Sequence, residues 1–201
     1  MKKLVIQALA LLALVSFASE RKYPKALVSF TDFKDLMAEV EPHRAERLID
    51  LETFLKMSRE EGAMIFDSRS DFRFDRIHIK GAKHLAFTDF TQESLAKVIP
   101  DPDTKILIYC NNNFDGNQTD FTSKVSLPFP RQNNGVASQI ANQEKPRMMA
   151  LNIPTYINLY GYGYRNVYEL DELVRVNDPR IVFEGSVVGP TSGLQVPASL
   201  K

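Results

Sequence analysis

The sequence predicts an α/β domain in three layers, a mostly parallel central sheet flanked by helices on both faces. Three observations carry that prediction. The runs Ala63-Met64-Ile65-Phe66 and Ile106-Leu107-Ile108-Tyr109 are continuously apolar, the pattern of strands covered on both faces. Segments with helical spacing alternate with these and other short apolar runs, and such alternation feeds a parallel sheet. The composition, 44% hydrophobic and 25% charged over 201 residues, supports a substantial core without disulfide staples.

The chain opens with Lys2 and Lys3, an apolar run over residues 4–15 and the small-x-small end Ser16-Phe17-Ala18, which reads as a signal peptide cut after Ala18. The run is shorter than the roughly 20 residues that span a bilayer. The expectation is a periplasmic or secreted protein without stable membrane insertion after cleavage. Loss of Lys2 and Lys3 leaves 23 basic against 25 acidic residues, with no long run of either sign, so nucleic acid is not an expected partner.

Residues 19–46 form an expected helical extension, with Thr31 as cap, an apolar stripe of Phe33, Leu36, Met37 and Val40, and Pro42 as its end. The main domain is expected over residues 47–188. Arg47-Leu48-Ile49 begins it as a strand, and a helix capped by Asp50 carries Leu51, Phe54 and Leu55. After the strand at 63–66 come Asp67-Ser68-Arg69, a charged loop, His78-Ile79-Lys80-Gly81-Ala82 and an expected strand Leu85-Ala86-Phe87. A helix over 91–98 and a Pro-Asp turn lead to the strand at 105–110. Residues 115–146, rich in Asn and Gln and punctuated by Gly and Pro, read as an insertion, because long loops in compact domains are functional or mobile. A helix over 147–160, bent at Pro154 or starting near it, strands at 166–170 and 181–183, and a disordered tail over 189–201 complete the reading.

Cys110 is the only cysteine, in a chain whose leader points to an oxidising compartment where cysteines usually pair. It stands at the carboxyl end of a strand, where open parallel sheets bind ligands. Asn111, Asn112, Asn113, Phe114, Asp115 and Gly116 follow, residue types that can turn their amides inward as a nest and lower the thiol pKa. The opposite reading, an inert cysteine that simply completes a strand, is left open by spacing alone. His43, His78 and His84 have no metal-ligand spacing, so neither a metal nor another cofactor is expected.

Phe66-Asp67-Ser68-Arg69, His78-Ile79-Lys80-Gly81-Ala82, the strand into Cys110 and Gly163-Tyr164-Arg165-Asn166-Val167-Tyr168-Glu169-Leu170 together resemble a rhodanese-like domain, in order and spacing. The resemblance implies a sulfurtransferase that moves sulfane sulfur from a donor such as thiosulfate to a thiol or cyanide through a Cys110 persulfide. By the same resemblance Asp67, Arg69 and His78 are structural residues near the site. Three features differ from the family pattern: the insertion after the loop, the absence of an early loop arginine, and Asp171-Glu172 in place of a Gly-Gly pair. The next arginines, Arg131 and Arg147, are the candidate anion binders, with Lys145 beside them. A phosphatase loop would need arginine at 116, which is Gly116. A catalytically inactive module that binds a periplasmic protein, and a thiol redox sensor, are the alternative functions.

Overall fold

A computed structural model describes residues 23–126 and 147–188. The expected signal peptide, the tail over 189–201, and Arg131 and Lys145 lie outside the described residues.

The described chain runs α1 (Phe30–Ala45), β1 (Leu48–Ile49), α2 (Leu51–Met57), β2 (Ala63–Asp67), α3 (Asp71–Arg76), β3 (His78–Ile79), β4 (Lys83–His84), α4 (Gln92–Val98) and β5 (Lys105–Tyr109). It continues with β6 (Phe114–Asp115), β7 (Val125–Ser126), β8 (Arg147–Met148), α5 (Asn152–Gly161), β9 (Val167–Leu170), β10 (Val174–Arg175) and β11 (Phe183–Glu184). Five strands form the central sheet in the order β1-β9-β5-β2-β4, and every pairing in it is parallel. The α/β class is therefore as the sequence reads.

Strand β5 lies at the centre and shows how the layers are built. Its side chains alternate, so Ile106 and Ile108 pack with Val40, Leu95, Tyr156 and Ile157 on one face, while Leu107 and Tyr109 pack with Leu51, Phe54, Phe114 and Phe121 on the other. Helices α1, α4 and α5 cover the first face, and α2 the second. Helix α2 is capped as expected, with Asp50 Oδ1 accepting the Thr53 N–H at 2.7 Å. Thr91 caps α4 within a capping box that includes Ser94.

Four elements differ from the sequence reading. Helix α1 is capped by Ser29 rather than Thr31 and runs through Pro42 to Ala45. The turn beyond the proline is held from outside: His43 Nδ1 meets Tyr156 Oη at 2.9 Å, and Arg44 forms a double hydrogen bond to Glu169 at 2.6 and 2.8 Å. Lys83–His84, not Leu85 to Phe87, makes the edge strand, since the chain turns into a 3₁₀ helix at Phe87–Asp89. Residues 147–148 are not helical; they pair antiparallel with Val125–Ser126, and α5 starts only at Asn152. The last strand is Phe183–Glu184, shifted from 181–183 and paired antiparallel with His78–Ile79. The start of the insertion is also structured, because Phe114–Asp115 pairs with Val174–Arg175 and Phe121 is fully buried.

Candidate active site

Strand β5 delivers Cys110 to the carboxyl edge of the sheet, as the sequence predicts, and the chain then turns through a 3₁₀ segment at Asn111–Asn113. Asn113 closes this turn. Its Oδ1 accepts the Cys110 N–H at 2.8 Å and the Asn152 Nδ2 at 2.9 Å, and its Nδ2 donates to the carbonyls of Leu170 at 2.7 Å and Glu172 at 3.3 Å. One side chain thus joins the end of β5, the start of α5 and the end of β9. Asn112 reaches the other way and accepts the Lys124 N–H at 2.7 Å, fastening the base of the insertion.

The loop turns some of its amides onto its own carbonyls. The Asn113 N–H bonds the Cys110 carbonyl and the Phe114 N–H bonds the Asn111 carbonyl. The backbone amides of Asn111 and of Leu151, the residue just before α5, both act to lower the thiol pKa. The insertion therefore separates the loop from its helix along the chain without separating them in space. Burial nevertheless dominates: Cys110 is 1% exposed, and desolvation pushes its thiol pKa up despite the two amides. Asp67 raises it further and Arg69 opposes that, both to a smaller extent.

Asp67 and Arg69 form a sealed ion pair beneath the loop, 0% and 1% exposed. Arg69 donates from Nε to both Asp67 oxygens at 3.0 Å, and from Nη2 to Asp67 at 2.7 Å and to the Ile77 carbonyl at 2.6 Å. Tyr109 donates to Asp67 at 2.6 Å and accepts the Ile79 N–H at 3.1 Å. Burial works against the charge on Arg69, yet the Asp67 carboxylate outweighs it and holds the guanidinium pKa up. Burial, seconded by Asp67, pushes the Tyr109 phenol well up. His78 stacks on Phe74 with ring centroids 3.7 Å apart, and its ring nitrogens meet the Phe74 carbonyl and Glu184. These three residues contact backbone and packing, with no open space before them.

Beside the loop lies a cleft of about 670 Å³ lined by Asn112, Asn113, Phe114, Asp115, Asn152 and Glu172 among others. Its walls include the chain neighbours of the two residues whose amides act on the Cys110 thiol. Cys110 itself, Asn111, Gly116 and Arg147 do not line it. Gly116 makes the turn after β6 at φ 93°. Arg147 lies exposed on β8, one residue from Met148, which does face the cleft. The only basic residue lining it among the described residues, Arg44, is taken up by Glu169. Leu151, Asn152, Tyr109 and Arg44 escaped the sequence reading, since nothing local marks a residue whose partner lies in a distant segment.

No curated protein matches the chain. Among solved structures, the polysulfide-sulfur transferase homodimer from Wolinella succinogenes aligns at 14% identity over 69% of this chain and 77% of that one, with a TM-score of 0.33. The family described as rhodanese-like domain matches residues 50–172, which is more than half of the 201 residues, and the protein belongs to that family.

Proposed function

We propose that the protein is a sulfurtransferase that carries sulfane sulfur on Cys110. The observation that supports this reading is the place of Cys110 at the carboxyl end of the central strand, where the backbone N–H groups of Asn111 and Leu151 act to lower its thiol pKa. A persulfide is a sulfur anion, and fixed amide dipoles stabilise such a charge without reorganising. In the first half reaction the Cys110 thiolate, its proton lost to solvent, attacks the outer sulfur of a donor such as thiosulfate. The donor's S–S bond breaks and sulfite leaves with the electron pair. In the second, cyanide or a thiolate attacks the outer sulfur of the persulfide, and the Cys110 thiolate leaves. Donors and acceptors of this kind fit a protein outside the cytoplasm, where the leader of residues 1–18 would direct it.

A second reading, a rhodanese-like module that binds a partner without turnover, is favoured by one specific feature: the sulfur is 1% exposed and its thiol pKa is raised. Intact mass after incubation with thiosulfate, and separately with a polysulfide, decides between them. The expected result is the gain of one sulfur by the folded wild type and none by Cys110→Ser. Absence of any adduct on the folded wild type with both donors overturns sulfur transfer and leaves the binding module.

A further inference from the structure

The cleft beside Cys110 has a lining that suits neither a small anion nor the domain's own packing. Val125, Met148, Ile153 and Leu173 come from four separate segments and rim this one cleft, and they are 37%, 65%, 46% and 69% exposed. Soluble domains seldom gather large apolar side chains around one concavity without using them in contact with something else. Among the described residues, the charged ones lining it are Asp115, Glu169, Asp171 and Glu172 against Arg44. Glu169 and Arg44 neutralise one another through two hydrogen bonds, and Glu172 accepts the Leu51 N–H at 2.8 Å, which fixes its carboxylate at the cleft wall. The side chains of Asp115 and Asp171 carry no hydrogen bond among the described residues. Among the described residues the lining of this apolar groove is thus net acidic, with Arg44, which also acts on Asp171, as its counter-charge.

We propose that this cleft docks a basic, apolar peptide segment of a partner protein, the carrier from which Cys110 takes sulfur or to which it gives it. The inference rests on the sulfur-transfer reading for the purpose of the contact and names the class of partner. Charge complementarity selects the occupant: lysine or arginine side chains meet Asp115, Asp171 and Glu172, while interleaved leucine-like side chains cover Leu173, Met148 and Ile153. The same carboxylates depress the local concentration of a dianion such as thiosulfate, so sulfur delivered on a cationic peptide has the more favourable approach. The position of the groove fits this use, because residues 112–113 and 152 line it and flank the two residues whose amides act on the Cys110 thiol.

Fluorescence anisotropy with two labelled hexapeptides, one alternating lysine with leucine and one alternating glutamate with leucine, tests the proposal. The full chain is expected to bind the lysine peptide saturably, more weakly as salt rises, and to ignore the glutamate peptide. Asp171→Asn and Leu173→Ser, both at exposed positions and checked for unchanged thermal unfolding, should each weaken binding about fivefold. Asp171→Lys should shift the preference toward the glutamate peptide. Equal binding of both peptides, or indifference to all three substitutions, overturns the docking site. Cys110→Ser separates the two readings, since it should bind the lysine peptide like the wild type. Binding without any sulfur uptake by the wild type defeats sulfur transfer alone, and sulfur uptake without peptide binding defeats the docking site alone.

Discussion

Burial and hydrogen bonding act in opposite directions on the Cys110 thiol, and burial is the larger, so the folded protein holds its proton more tightly than the unfolded chain. Two consequences follow at this single residue. Alkylation by iodoacetamide should be slow at neutral pH and should rise with a midpoint above the ordinary thiol value of 9.0. Stability follows by linkage: the neutral thiol's contribution is fully present below the unfolded thiol pKa and is lost as pH rises through the raised folded value. Urea unfolding of the wild type against Cys110→Ser, across that alkaline window, should show the wild-type advantage shrinking as pH increases. A midpoint at or below the ordinary value would mean that the two amides outweigh desolvation. The sequence places Cys110 correctly at a strand end, because five consecutive residues with strand character, Lys105 to Tyr109, lead into it. It does not reveal the sign of the pKa shift, which is set by burial in the packed fold against the smaller effect of the Asn111 and Leu151 amides.

At the scale of elements, the first part of the insertion belongs to the core. Phe121 is 0% exposed, its ring lies 4.6 Å from that of Phe114, and the Arg69 guanidinium sits 4.6 Å above its face. Asp120 beside it pairs with Arg76 and is held low by that guanidinium and by Asn117, against the opposing effect of burial. Phe121→Ala should cost about 3–5 kcal/mol in urea unfolding through the cavity it leaves and the lost cover over Arg69. A cost below ~1 kcal/mol would show that the aromatic cluster closes without it. The sequence reading missed this anchor because one phenylalanine among Asn, Gln, Thr and Ser carries no periodicity. The buried strands, the Asp50 cap and the helix over 91–98 were legible because each is declared within a few neighbouring residues. Pro42 shows the converse, a strong local stop signal overruled by His43 and Arg44 contacts from α5 and β9.

For the whole molecule, topology brings the two ends of the segment 127–146 together. The segment 127–146 leaves from Ser126 and returns at Arg147, and these two residues are register partners in an antiparallel pair. Chain ends held opposite one another can be joined by a two-residue turn, for which Asn-Gly has the needed positive φ values. The clasp of Asn113 with Asn152, the Asp67–Arg69 pair and the described residues that line the cleft are supplied by other parts of the chain. Replacing residues 127–146 with Asn-Gly should therefore leave a cooperatively folding domain, and the shorter connection should ease loop closure by on the order of 2 kcal/mol. Urea midpoints and intact mass after thiosulfate measure the two halves of this prediction. Retained fold with retained sulfur uptake is the expected result, and it removes Arg131 and Lys145 from the list of donor-binding groups. A variant that folds normally but takes up no sulfur would instead assign the donor's negative charge to those two cations. Loss of folding would mean that the β7–β8 pair depends on the segment it closes.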